Sequence, residues 1–364
     1  MMQVNGRPAA SQRRDRYAPP ASLVNEQTNL SFSFAWRLDP STNVGRAMAA
    51  AFQRLRSSQS ETPRLDVEIL LASVLNTDRV GLFAHPERPL NAAERSRFEE
   101  LIERRRRHEP VAYLVGSRSF FGLDFLITPQ VLVPRPETEL LVEHAILAIE
   151  SLVTRSAQAY SDAWLVGNRP PGTNGHGPGR YPPYAQFFRP PSVDSGVLMA
   201  DIGTGSGAIA ISVAHNHPRV MVYATDISSD ALAVAQTNAV RTQVADRMQF
   251  LHGSLLSPLP QPVDIITANL PYVPSSVIPT LAPDVAQYEP RLALDGGPDG
   301  TLLIQQLLSQ APAYLRPGGA LLLEIGSDQG FLVADMARQA FPSADVNVLQ
   351  DFAGLDRLVR VLCS

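Results

Sequence analysis

Three short stretches of this chain hold residue types that can do chemistry at useful spacing. The most informative is Asn269-Leu270-Pro271-Tyr272, which follows the apolar run Val263–Ala268. An amide side chain followed by a rigid Pro-containing turn presents two acceptors, the Asn269 side-chain oxygen and the Leu270 carbonyl. Together they can hold both hydrogens of a planar NH2 group. That fixes the nitrogen and favours loss of its conjugation, so its lone pair can aim at an electrophilic methyl, and alignment and electrostatics do the rest. Tyr272 can stack on a flat substrate. The plain alternative is a turn that only ends a strand.

The second stretch is Asp201-Ile202-Gly203-Thr204-Gly205-Ser206-Gly207. A Gly-rich turn between strand and helix lets a ligand approach the backbone closely. The glycines run G-x-G-x-G rather than the G-x-G-x-x-G of a dinucleotide fingerprint. The Asp before them suits a ligand with a cationic end better than a pyrophosphate. A packing turn of any α/β protein is the competing reading. The third is Asp226, at the end of the next apolar run. An acid there can accept both ribose hydroxyls, or it can cap the helix starting near Ser229. A glycine loop plus a second-strand acid means an adenosine-containing cofactor.

These residues need a scaffold, and the pattern from Val197 onward supplies one. Short apolar runs at 197–202, 220–225, 248–251, 263–268, 320–325, 346–350 and 357–362 read as strands. Helical patterns at 206–216, 229–243, 301–315 and 331–340 alternate with them. That is a doubly wound α/β sheet, whose ligands bind at the carboxyl ends of the strands. We expect this catalytic, cofactor-binding domain over 196–364.

Upstream, 41–110 reads as a small helical bundle. Ser41 or Thr42 can cap a first helix with Val44, Met48, Phe52 and Leu55 on one face. Thr62-Pro63 starts a second, with Leu65, Ile69, Ala72 and Leu75 on one face, and Asn91 with Glu94 a third. Residues 111–156 read as a linking β-hairpin, Phe120–Ile127 with Val131–Val133 as its partner, followed by a helix from about Glu137 to Val153. The Pro- and Gly-rich stretch 157–195 reads as a disordered insertion, and 1–40 as a disordered tail.

Composition narrows the chemistry further. All 31 basic residues are Arg. Without Lys there is no Walker lysine, no kinase strand lysine and no Schiff base. The lone Cys363 cannot build an internal disulfide, a multi-Cys zinc site or an iron–sulfur cluster, and no metal site is expected. No apolar run is long enough to span a membrane. Residues 197–364 carry 8 Arg against 15 acids, which disfavours binding a phosphate backbone there. The run Arg104–Arg107 reads either as a solvated helix end complementing the dipole or as a contact for RNA or an acidic partner.

Asp201–Gly207, Asp226 and Asn269–Tyr272 together resemble a class I S-adenosylmethionine-dependent methyltransferase acting on a planar nitrogen, with its seven-stranded sheet. Further stretches resemble the release factor glutamine methyltransferase family (PrmC, also called HemK). They are Arg64–Leu71, Glu109–Gly116, Phe120–Leu123, Val133–Glu139, Tyr288–Pro290, Leu294–Gly300 and Asp351–Gly354. The resemblance covers roughly 41–150 and 197–364. It implies methyl transfer to the glutamine amide of the Gly-Gly-Gln motif of class 1 release factors, with the helical domain recognising that protein.

On that resemblance, Asn269 and the Leu270 carbonyl grip the glutamine amide, with Pro271 and Tyr272 completing the catalytic turn. Asp201, Gly203, Thr204, Gly205 and Gly207 line the methionine end of the cofactor. Asp226 holds the ribose, Ile227 packs on the adenine, and Ser254 and Asn269 complete the cofactor site. Phe120 walls the glutamine pocket. Arg135 and Glu137 frame it, or Glu137 caps the next helix. Two positions depart from the family pattern. Leu270 replaces a Pro, losing its fixed φ and gaining an N–H, and Ser254 stands where the family often has Asp.

Asn-Leu-Pro-Tyr also resembles the motif of rRNA adenine dimethyltransferases. The alternatives therefore stay open: a ribosomal-protein glutamine methyltransferase, a nucleic-acid adenine methyltransferase, or a non-catalytic binding protein. The resemblance implies a monomer in the bacterial-type cytoplasm, with neither membrane nor stable nucleic-acid binding. The Arg-rich, acid-poor leader leaves a mitochondrial location as the minor alternative.

Overall fold

The computed structural model describes residues 36–58, 60–165 and 196–364. The expected tail over 1–35 and the part of the expected insertion over 166–195 lie outside these residues. The chain divides into Met1–Arg37 and Leu38–Ser364, and every described helix and strand lies in the second unit.

The helical region comprises α1 (Val44–Leu55), α2 (Pro63–Val74), α3 (Arg79–Ala84), α4 (Ala92–Arg106) and the short α5 (Val111–Val115). Asn43 caps α1, its side chain accepting from the Arg46 N–H, so neither Ser41 nor Thr42 does. The capping box of Asn91 and Glu94 is formed. Thr62 precedes Pro63 but caps nothing; its hydroxyl bonds Asp66 instead. The buried face of α2 also differs from the expected one. Leu65 is exposed, while Asp66, Val67, Glu68, Leu70 and Leu71 are buried. Two acids can sit inside because each meets an Arg, Asp66 with Arg105 at 2.7 Å and Glu68 with Arg79 at 2.6 Å. Apolar periodicity cannot anticipate paired charges.

The hairpin is shorter and earlier than expected. β1 (Ser117–Phe120) pairs antiparallel with β2 (Leu123–Leu126) around Phe121-Gly122, both at positive φ, and Val131–Val133 is not a strand. Positive φ at both turn residues matches the right-handed strand twist. A 3-10 turn, Pro136–Thr138, then leads into α6 (Glu139–Leu165). This helix runs beyond the expected Val153 and into the stretch expected to be disordered. Ala157 to Leu165 contain neither Gly nor Pro, so nothing local stops it before Gly167.

The remaining elements are β3 (Val197–Ile202), α7 (Ala208–Asn216), β4 (Val220–Asp226), α8 (Ser229–Arg241), β5 (Met248–His252), β6 (Val263–Ala268), α9 (Pro283–Tyr288), α10 (Leu302–Tyr314), β7 (Leu315–Glu324), α11 (Gly330–Ala340), β8 (Asp345–Gln350) and β9 (Asp356–Leu362). They build a seven-stranded sheet in the order β5-β4-β3-β6-β7-β9-β8, with only β9 antiparallel to its neighbours. This is the expected class I methyltransferase architecture. Successive residues point to opposite faces. Met199, Val222 and Ile265 join the core under α6, α7 and α8, while Ala200, Ile266 and Leu321 join the core under α10 and α11. The strand order reverses between β3 and β6, which pair in parallel with Ile202 beside Ala268. The glycine loop and the Asn269 turn thus leave adjacent strands at the switch point, where α/β sheets bind ligands.

Candidate active site

The glycine loop is held from below. Asp201 has no solvent exposure, and its carboxylate accepts from the hydroxyls of Thr204 (2.7 Å) and Thr267 (2.8 Å). Burial pushes this carboxyl up to about 6, against the pull of those two donors and of the Ala210 N–H. Asp201 therefore sits under the loop rather than facing the cleft as the sequence suggested. Thr204 is likewise buried and braces the loop. Gly203 and Gly205 have φ of +70° and +57°. A Cβ on Gly203 would stand 3.2 Å from the Leu270 side chain, whereas one on Gly205 would point into open space. Gly207 opens α7, where a Cβ would collide with Ile211.

Asp226, at the end of β4, binds this loop to the neighbouring strand. One carboxylate oxygen accepts from the Gly205 N–H and the other from the Ser228 N–H, both at 2.9 Å. Ser228, not Asp226, caps α8. Burial raises the Asp226 carboxyl above its ordinary value. Each oxygen still has a lone pair for a further donor. Ile227 beside it is exposed at 55%, an apolar face next to a polar one. Ser254 is exposed at the end of β5, in a turn where its own carbonyl takes the Ser257 hydroxyl.

The Asn269 turn is gripped from three sides. Leu270 is buried, and its side chain covers Gly203. The Tyr272 carbonyl accepts from the Gln329 side chain at 3.0 Å, and Val273 exchanges backbone hydrogen bonds with Leu294 and Gly296. The stretch 294–300 is thus a clamp on the turn. Half-buried Asn269 donates from Nδ2 to the Thr138 hydroxyl at 3.2 Å. Burial pushes the Tyr272 hydroxyl up to about 12.

The pocket residues on the linker divide. Phe120 is 2% exposed and packs edge-on against Phe125, with centroids 6.1 Å apart, so its ring is committed to the core. Arg135 pairs with buried Glu289 at 2.6 Å, joining the linker to the segment after α9. Glu137 is exposed and caps no helix; Glu139 instead accepts from the Phe121 N–H at 2.9 Å. Sequence reading missed three positions, Thr138, Glu324 and Asn238. Asn238, fully buried on α8, bonds both the N–H and the carbonyl of Leu126 in the hairpin and the Ser206 carbonyl in the glycine loop. Only the buried polar atom signals such a role, and burial is not visible in one sequence.

Known proteins match this chain over most of its length. A profile of the PrmC N-terminal domain matches residues 46–116, and one of the methyltransferase small domain matches residues 191–282. The release factor glutamine methyltransferase of Moorella thermoacetica is 41% identical over 86% of this chain and 95% of its own length. Its namesake from Bradyrhizobium diazoefficiens is 36% identical over 88% and 96%, and that from Geobacter sulfurreducens 36% over 82% and 89%.

The chain belongs to the release factor glutamine methyltransferase family.

For a release factor glutamine methyltransferase, the placement of Arg104–Arg107 carries a correction. The run is not a bare cationic face. Arg104 pairs with Glu109 at 2.5 Å, Arg105 is buried against Asp66, and Arg106 pairs with Glu103 at 3.1 Å. Arg105 also lies 3.7 Å from Asp284 on α9, and the Arg107 carbonyl accepts from the Tyr288 hydroxyl at 2.7 Å. The run joins the helical region to α9, and thence through Glu289 to Arg135. No described helix is long and apolar enough to cross a membrane.

Proposed function

We propose that this methyltransferase binds S-adenosylmethionine across the ends of β3, β4 and β6 and methylates the glutamine amide in the Gly-Gly-Gln motif of class 1 release factors. The fit of the cofactor rests on three observations: the open space over Gly205, the spare lone pairs of Asp226 and the exposed face of Ile227. In this reading Asp226 takes the ribose hydroxyls and Ile227 supports the adenine, with Ser254 accepting from its amino group. The loop Gly203–Gly207 cradles the methionine end, held in shape by Asp201 and Thr204. The bound cofactor supplies an electrophilic methyl on a sulfonium, a leaving group already activated by its charge.

The chain's own part is positioning. The Asn269 side-chain oxygen and the Leu270 carbonyl accept the two hydrogens of the glutamine amide, which holds its nitrogen still and withdraws it from conjugation. Tyr272 supports the flat group from one side. Attack would be in line, with no covalent enzyme intermediate; the sulfur would keep the electron pair of the broken sulfur–methyl bond as a thioether, and one amide proton would pass to solvent. Arg135 and exposed Glu137 frame the entrance. The glycines of the substrate loop let it enter a narrow cleft, and the helical region of 41–110 recognises the rest of the release factor. The enzyme acts as a monomer in a bacterial-type cytoplasm, without stable nucleic-acid binding.

The observation that carries this reading is the orientation of Asn269. Its NH2 is turned inward onto Thr138, which leaves its oxygen for a substrate donor. Mass spectrometry of a release factor after incubation with enzyme and S-adenosylmethionine tests it. A gain of one methyl on the Gly-Gly-Gln glutamine is expected; a methyl elsewhere, or on RNA or a ribosomal protein instead, would overturn it.

A further inference from the structure

One buried polar side chain takes no part in the grip on the amide, yet it joins the two sides of the cleft. Asn238 lies on the packed face of α8 with Ala231, Val234 and Ala235, and has no solvent exposure. Packing alone would favour an apolar side chain there, because a buried carboxamide costs free energy unless its hydrogen bonds are made. Those of Asn238 go to the backbone of two distant segments. Its Oδ1 accepts from the Leu126 N–H at 2.7 Å, and its Nδ2 donates to the Leu126 carbonyl at 3.0 Å and to the Ser206 carbonyl at 2.9 Å. We propose that Asn238 is a positioning residue for methyl transfer, fixing the glycine loop of the cofactor and the substrate-side linker to one buried amide.

Hydrogen-bond direction makes this a rigid joint. Turned over, the amide would set its oxygen against two carbonyls and its NH2 against an N–H, so one orientation alone fits. Leu126 ends β2, and its N–H and carbonyl meet Asn238 as they would meet a further strand. The linker then continues through Ile127, Val131 and Val133, all buried in the core beneath α6, α7 and α8, to Arg135 and Thr138. On the other side, the Ser206 carbonyl belongs to the part of the loop that leads into α7. The Gly207 N–H of the same peptide bonds the Thr204 carbonyl at 2.8 Å, so this peptide plane is held from both ends. Asp226 and the Thr225 carbonyl hold the earlier part of the loop through the N–H groups of Gly205 and Thr204. The cradle for the methionine end and the linker whose Thr138 receives Asn269 thus share one reference point. An error of about 1 Å between reacting groups can cost about 10²-fold in rate.

The inference rests on the cofactor site and the amide grip proposed above, and the experiment separates it from them. Asn238→Leu has a branched side chain and none of the three hydrogen bonds. Asn238→Asp keeps the acceptor for Leu126 but sets a carboxylate against two carbonyls. Burial raises such a carboxyl, so at lower pH it gains a proton to donate to one of them. For each full-length variant, S-adenosylhomocysteine affinity is measured by calorimetry, Tm alongside, and kcat on a release factor at saturating S-adenosylmethionine well below that Tm. In Asn238→Leu, Kd is expected to rise about tenfold, and kcat at saturation to fall about tenfold to a hundredfold. Relative to wild type, Asn238→Asp should recover part of its kcat as pH falls, and Asn238→Leu should not. Wild-type kcat at saturation in Asn238→Leu, a flat pH ratio in Asn238→Asp, or losses that follow the folded fraction alone would overturn the inference. In the wild-type enzyme, amide exchange of Leu126 should slow when S-adenosylhomocysteine binds; unchanged exchange there overturns the inference whether or not the variants fold. If Asn269→Ala keeps wild-type turnover, the grip fails, while the affinity and exchange results still judge Asn238.

Discussion

Two buried carboxyls, Asp201 at the end of β3 and Glu324 at the end of β7, flank the turn that leaves β6, and they are finished differently. Asp201 has a donor on each oxygen, from Thr204 and Thr267. Glu324 keeps one oxygen without a partner. Burial raises both, to about 6 and about 7. An acid with a donor on each oxygen, one from its own loop and one from the neighbouring strand β6, is a structural pin, and its loop is the proposed cofactor cradle. Glu324 lies beside the Asn269 turn, one step past the Ala268–Leu323 pair of the β6–β7 register. The difference teaches that burial and a raised pKa do not by themselves mark catalysis.

The largest effect should come from Asn269. Asn269→Ala removes the acceptor proposed for the reacting nitrogen, and a loss of at least about 10²–10³ in kcat is expected. Cofactor affinity measured by calorimetry should barely move, and a comparable fall in both would break the division of labour. Asp201→Ala should behave the other way round. It strands two buried hydroxyls, at about 1–3 kcal/mol each before they find other partners. If the loop then spends about a tenth of its time in the binding shape, cofactor Kd rises about tenfold, while kcat at saturating cofactor stays near wild type. A kcat defect surviving saturation would show that Asp201 does more than pin the loop.

A smaller pair of substitutions probes the seam between the two loops. Alanine at Gly203 or Gly205 carries a positive-φ penalty of about 1–2 kcal/mol. At Gly205 the added methyl meets nothing, so cofactor affinity alone should fall. At Gly203 it presses on Leu270, so kcat should fall as well. Steady-state kinetics at two cofactor concentrations separates these outcomes.

The smallest effect is on stability against pH. Both carboxyls hold protons in the folded state that the unfolded chain releases at the ordinary values of 3.8 and 4.5. Their contribution is therefore full below the unfolded values and is lost as pH rises through about 6 and then about 7. Glu324→Met removes the upper step, so its Tm should decline less than that of wild type over that interval. Parallel curves by scanning calorimetry would show that Glu324 titrates normally.

Much of this was legible in the chain itself. The strands from β3 to β9 announce themselves as apolar runs, and their order with intervening helices already implies the sheet. Asn269, Asp226 and the glycine loop stand out because their chemistry is local, carried by residues adjacent in sequence. Where the reading slipped, a distant contact had the deciding vote. The α2 face turned because Arg105 buries Asp66 from 39 residues away. The Arg104–Arg107 run looked free because its partners Asp66, Glu103, Glu109 and Asp284 cannot be assigned from composition. The hairpin register was read from hydrophobicity, yet Asn238 fixes its last residue from 112 positions away.

The amino-acid sequence alone carried the class of reaction and the doubly wound sheet. Each depends on motifs a few residues long or on a repeating apolar pattern. Only the tertiary structure decided which way those motifs face. It turned Asp201 under its loop, committed Phe120 to the core and brought Thr138 within a hydrogen bond of Asn269 across 131 residues. It also buried Glu324 beside that turn. The reason is physical: a hydrogen bond depends on distance and direction in space, and strands far apart in sequence meet only when the sheet has formed.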